Sequence, residues 1–200
     1  MLLHQQFVRI AKQYENKVAI VDRTLNRRVT YKKALIGSLI IAKKFQQYSP
    51  GFIGIMMPNS AGTILAILGT LMSGRIPVMI NYSTGAAANC EFAQKKCAFK
   101  TIITSRALCE KINCPHIDGM VYMEDIMKSI SLFEKIRAAL KAGNSTENLL
   151  KKIHPLNIII RCIKTENNVT FSNFCNRTQY IVVKGISKSI TVIRDYFTLR

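Results

Sequence analysis

The sequence predicts an α/β protein: a mainly parallel sheet with helices on both faces, followed by an irregular tail. Three observations carry this. The runs FIGIMM (52–57), PVMI (77–80) and TIIT (101–104) are apolar without alternation, as strands covered on both faces are. Segments of helical length stand between them, so strands and helices alternate as in βαβ units. Proline and glycine punctuate the joins at Pro50-Gly51, Pro58 and Gly74.

In chain order, residues 4–14 place Phe7, Ile10, Ala11 and Tyr14 on one helical face. Residues 17–22 and 27–30 read as short strands around a turn-rich segment. Thr30 is a natural N-cap for a helix over 31–47 that buries Leu35, Leu39 and Ala42. FIGIMM stops at Pro58, Ser60 caps the next helix, and that helix ends at Ser73 with Gly74 as its C-cap. Then follow a strand (76–80), a helix (85–96), a strand (100–104), a short helix (106–112) and a strand (119–123). Residues 127–141 fit one amphipathic helix with Ile130, Phe133, Ile136 and Leu140 on a face, and KAGNSTEN (141–148) reads as a linker. From residue 156 the text changes to short β-prone runs between polar patches, with Glu166 and Asp195 as its acids.

A hydrophobic fraction of 48% excludes wholesale disorder. The net charge of +18 is scattered in pairs such as Arg27-Arg28, Lys43-Lys44 and Lys151-Lys152. Such a surplus is either a plain solvated surface or an attraction for an anionic membrane surface, an acidic protein or nucleic acid; without interleaved aromatics or a recognition motif it specifies no nucleic acid. The six cysteines form no CxxC, and Cys109, Cys114 and His116 are one ligand short of a zinc site, so no metal is expected. Reduced thiols place the chain in the cytoplasm. The start is no signal peptide. The most apolar segment, 60–74, is shorter than the roughly 20 residues of a membrane span. His4, His116 and His154 have no partner at a catalytic spacing, so no catalytic residue is assigned.

Parallel sheets bind ligands beyond the carboxyl ends of their strands. Asn59, Asn81, Tyr82 and Arg106 follow directly after expected strands and are the substrate-facing candidates. Each also has a plainer role: the asparagines as turn caps, Tyr82 as packing, Arg106 as a solvated helix start.

VTYKKALIGSLIIAKKF (29–45) and FIGIMMPNSAGTILAILGTLMSGRIPVMINYSTG (52–85) resemble the early helix and the strand, Pro-Asn, helix, Gly, strand block of adenylate-forming (AMP-binding) acyl ligases. Pro77, Met79, Asn81, Tyr82 and Gly85, with KTIITSR (100–106) and VYMEDI (121–126), look closest to the ligase domains of bacterial acyl-acyl carrier protein synthetases and 2-acylglycerophosphoethanolamine acyltransferases. The resemblance covers residues 3–126, with an outer bound at about 155. It implies a partial amino-terminal ligase domain at 1–126, a helix and linker at 127–155, and an unrelated or frame-shifted tail at 156–200. Full-length relatives use ATP and Mg to turn a fatty acid into an acyl-adenylate, then pass the acyl group to a thiol of acyl carrier protein or CoA. Their phosphate loop, Thr-Ser-Gly-[Ser/Thr]-x-x-x-Pro-Lys-Gly, does not occur in this sequence; KGISKS (184–189) lacks both its Ser-Gly turn and its Pro-Lys-Gly ending. The expectation is a truncated ligase, with no cofactor held by this chain and no activity alone. The alternatives are a small cytoplasmic α/β nucleotide- or acyl-binding module, or a basic protein peripheral to the inner membrane.

Overall fold

The computed structural model describes residues 2–153, position 24 excepted. His154, KGISKS and the tail expected at 156–200 lie outside those residues.

Four short strands form the parallel sheet: β3 (Phe52–Ile55), β4 (Ile76–Met79), β5 (Ile102–Thr104) and β6 (Met120–Tyr122), in spatial order β4-β3-β5-β6. Successive side chains point to opposite faces, and the burial follows. On one face Ile53, Ile55 and Ile103 join Phe45 of α2 (Tyr31–Phe45), Ala66 of α3 (Ala61–Met72) and Ile126 of α6 (Met123–Lys128). On the other, Val78, Ile102 and Met120 join Cys90 and Ala93 of α4 (Ala86–Cys97) and Leu108 of α5 (Arg106–Lys111). Helices therefore cover both faces, and the apolar runs are continuous because both sides of each strand are dry.

A second unit sits at the amino end. β1 (Val18–Asp22) and β2 (Arg27–Thr30) pair antiparallel in a separate two-stranded sheet. A third core joins α1 (Leu3–Gln13), the hairpin, α2, α3 and α8 (Thr146–Lys152) through Phe7, Val8, Ile20, Leu35, Leu68 and Leu149. Asp22 links hairpin and helix: its carboxylate accepts from Ala61 N at 2.9 Å and Leu25 N at 3.1 Å. His4 is buried on α1 with no hydrogen bond to Nδ1 among the described residues. Burial lowers its pKa to about 4, so it is neutral near pH 7.

The expected caps form. Thr30 Oγ1 accepts from Lys33 N at 3.4 Å, and Ser60 Oγ from Thr63 N at 3.3 Å. Gly74, with φ 75°, closes α3.

Beyond residue 122 the expectation needs correction. The single helix at 127–141 is two: α6, then α7 (Leu132–Gly143), with Ile130 buried at the joint. Ser131 begins a new helix because it forms a capping box: its hydroxyl accepts from Glu134 N at 3.2 Å, and Glu134 Oε2 accepts from Ser131 N at 3.0 Å. The expected linker at 141–148 is largely helical, since Ser145 caps α8 by accepting from Asn148 N at 3.4 Å. Leu149 then packs beside α1. The face of Phe133, Ile136 and Leu140 is exposed; α7 rests instead on Ala138 and Ala142.

Candidate functional site

Because β3 to β6 are parallel, their carboxyl ends share one edge of the sheet. In spatial order that edge presents Asn81-Tyr82-Ser83 after β4, Asn59 after β3, Ser105-Arg106 after β5 and Glu124-Asp125 after β6. All four candidate residues thus lie along one edge, in the order Asn81-Tyr82, Asn59, Arg106.

Their local chemistry differs. Asn81 is exposed and bonded within its own loop: its side-chain oxygen accepts from Ser83 N at 2.9 Å and Ser83 Oγ at 2.7 Å. Asn89 of α4 locks the same loop, donating to the carbonyls of Asn81 at 3.0 Å and Thr84 at 2.7 Å. This is the turn-capping use of asparagine. Tyr82 is half-buried and packs on the α4 side of the sheet. Asn59 is exposed between Pro58, whose carbonyl accepts from Thr63 Oγ1, and the cap Ser60.

Arg106 is the most connected. Its guanidinium pairs with Asp125 at 2.5 Å and lies 4.1 Å over the ring of Tyr122, while its backbone N–H donates to Glu124 Oε1 at 3.1 Å. Tyr122 OH in turn meets His116 Nδ1 at 3.0 Å. Glu124 Oε2 is buried with no partner among the described residues. Arg106, Cys109, Glu110, Asn113, Cys114 and Tyr122 line a cleft of ≈ 250 Å³ beside this cluster. The Arg106–Asp125 pair is about half exposed, so solvent screens it and it contributes little to stability. What it does is neutralise the cation nearest the cleft.

Sequence reasoning missed Tyr122, Glu124 and Asp125 as partners of Arg106, and His116 as the partner of Tyr122. The acidic pair directly after an expected strand was a signal for Glu124 and Asp125. Their pairing with Arg106 depends on β5 and β6 being neighbours, which local pattern does not show.

Cys90, Cys97 and Cys114 are poor nucleophiles. Burial pushes Cys90 up to about 12, and it raises Cys97 and Cys114 as well. Among the described residues no group of three or more His, Cys, Asp and Glu could hold a metal ion; His116 faces Tyr122, and Cys114 Sγ meets the carbonyl of Pro115 at 3.5 Å. No helix among the described residues is long and apolar enough to cross a membrane. A larger cavity, ≈ 630 Å³, borders α2, α7 and the end of α8, away from the strand-end loops in its lining.

This fold is shared with solved structures. The nonribosomal peptide synthetase FmoA3, in an α-methyl-L-serine-AMP bound form, superposes with a TM-score of 0.56 at 17% identity, over 66% of this chain and 15% of that one. O-succinylbenzoate coenzyme A synthetase (MenE) from Bacillus subtilis, in complex with ATP and magnesium ion, gives 0.54 at 16% identity, over 62% and 34%. A benzoate CoA ligase from Burkholderia xenovorans LB400 gives 0.53 at 17% identity, over 66% and 29%. At these identities the likeness establishes the fold, and the chain spans only 15% to 34% of the length of these three. Residues 7–158 match the AMP-binding enzyme family, and the chain belongs to that family.

Proposed function

We propose that this chain is the amino-terminal portion of an adenylate-forming acyl ligase, of the acyl-acyl carrier protein synthetase and 2-acylglycerophosphoethanolamine acyltransferase type, and that the 200-residue polypeptide does not form an acyl-adenylate alone. The observation that carries it is the parallel sheet of an AMP-binding family member with its candidate loops on one edge and no phosphate loop in the sequence.

The chemistry explains why the loop matters. A carboxylate attacking the α-phosphate of ATP expels pyrophosphate, and the charge that develops needs fixed N–H donors and a cation aimed at it. At the strand ends Asn81 is engaged in its own turn and Arg106 is paired with Asp125. These loops can orient a substrate; they do not supply a triphosphate cradle. The complete machinery would take ATP and Mg, a fatty acid, and CoA or acyl carrier protein as thiol acceptor. The ATP and magnesium ion in the MenE structure and the coenzyme A ligase names among the similar folds support ATP, Mg and CoA in this proposal; fatty acid and acyl carrier protein rest on the sequence resemblance. The free thiols of Cys90, Cys97, Cys109 and Cys114 support a cytoplasmic setting.

Two readouts test the proposal on the purified chain. ATP–pyrophosphate exchange with long-chain fatty acids should stay at the blank; exchange that needs fatty acid and disappears on immunodepletion of the chain would refute the inactivity. A stable acyl-adenylate mimic, followed by amide NMR, should perturb Asn59, Asn81, Tyr82 and Arg106. Perturbations confined to other regions, or none, would contradict the assignment of the edge.

A further inference from the structure

We propose that α7 is a docking helix for an anionic bilayer surface, lying in the interface with its apolar face in the lipid. Met127, Leu132, Phe133, Ile136 and Leu140 are five of the nine exposed large hydrophobic residues among the described residues, so the exposed apolar surface described is concentrated on this one helix and the segment before it. Leu132 is 73% exposed, Phe133 71% and Leu140 71%. At 3.6 residues per turn, Leu132, Phe133, Ile136 and Leu140 fall within an arc of about 100°. Lys135 and Arg137, both exposed, border that arc on its two sides. Ala138 and Ala142, the buried positions, lie on the opposite side. The helix is amphipathic in the reverse of the usual sense: small residues face the protein and large apolar ones face out.

The orientation is pinned. Glu134 accepts from Ser131 N at 3.0 Å and pairs with Lys44 at 3.1 Å and Lys43 at 3.5 Å. The Ser131 hydrogen bond first, and then the lysines, hold its pKa down to about 2. At the other end Lys12 Nζ donates to the carbonyl of Ala142 at 3.0 Å. Rolling α7 to bury Phe133 would break the contacts to Lys43, Lys44 and Lys12.

Charge decides the occupant. The net charge of +18 opposes close association of two copies. The chain beyond Ile153, with acids only at Glu166 and Asp195, carries the same sign as the flanks of the stripe. An anionic bilayer accepts both features: the apolar arc enters the acyl boundary, while Lys135 and Arg137 reach back to headgroups. This inference does not rest on the ligase reading.

The test uses the whole chain. It contains no tryptophan, so Phe133→Trp creates a single fluorescent reporter on the stripe, and Phe92→Trp, on exposed α4, a control. With vesicles of phosphatidylcholine and phosphatidylglycerol, emission at 133 should shift to the blue while emission at 92 stays put. Partition onto pure phosphatidylcholine should be about tenfold weaker, and Leu140→Glu or the pair Lys135→Glu and Arg137→Glu should each cost about tenfold on anionic vesicles. No shift at 133, an equal shift at 92, equal partition onto both lipids, or unchanged binding by these variants would overturn the proposal. So would emission at 133 already blue without lipid, which would mean that protein covers the stripe.

Discussion

Arg75→Leu is expected to destabilise the chain by about 3–5 kcal/mol. Arg75 is 7% exposed and forms no salt bridge among the described residues. Its guanidinium is solvated by carbonyls instead. Nη1 donates to Ser73 O at 2.8 Å, Nε to Ser49 O at 3.2 Å, and Nη2 to Gln46 O at 3.0 Å and to Tyr48 O. Gln46, Tyr48 and Ser49 lie just past the end of α2, where the helix dipole is negative. One side chain thus ties the end of α2 to the turn between α3 and β4, and desolvation lowers its pKa. Leucine would fill part of the volume and leave four carbonyls without their donor. Lysine keeps the charge but cannot reproduce the planar fork, so Arg75→Lys should fall between the two. Urea unfolding measures this; a loss below about 1 kcal/mol for leucine would mean that water replaces the guanidinium at these carbonyls.

Gly119→Ala should be at least as damaging, about 4 kcal/mol or more, enough to leave a marginal domain largely unfolded. Two effects combine. Gly119 has φ +85°, a conformation that L side chains rarely adopt, and a Cβ there would stand 1.8 Å from the carbonyl oxygen of Lys100. That oxygen is not free to retreat: it accepts from Gln94 Nε2 at 2.9 Å, while Gly119 O accepts from Ile102 N at 2.9 Å to join β6 to β5. Gly51→Ala separates the two effects. Gly51 has φ +104° with nothing within 4 Å of its would-be Cβ, so it should show the backbone cost alone, about 1 kcal/mol. Thermal unfolding followed by circular dichroism would compare them; equal losses at both positions would exclude the steric overlap.

The legible part of this protein is the part written in local pattern. FIGIMM, PVMI and TIIT announce strands because both faces of each are buried, and Thr30 and Ser60 announce helices because their hydroxyls accept the first free N–H groups. The edge that gathers Asn59, Asn81, Tyr82 and Arg106 follows from parallel strands alone. What local pattern hides is set by tertiary neighbours. Arg75 looks like a solvated boundary residue, yet it is buried by carbonyls from about 26 residues upstream. Arg106 finds Asp125 only because β5 and β6 are adjacent. The periodicity over 127–141 shows neither the break before Ser131 nor which side of α7 meets the protein, since Ala138 and Ala142 suffice to seat it. KAGNSTEN reads as a linker from its composition, but Ser145 turns it into a helix start.

Native-state hydrogen exchange tests the central claim most directly: that this family member folds around the β4-β3-β5-β6 sheet. The amides of Gly54, Met56 and Ile102 donate across β3, β5 and β6 at 2.9 Å in the buried centre of that sheet. They should exchange only through global unfolding and be the slowest in the chain, with the β1–β2 hairpin and the carboxyl end of α7 opening earlier. Exchange at Gly54, Met56 and Ile102 as fast as in the hairpin would contradict the fold and the edge built on it.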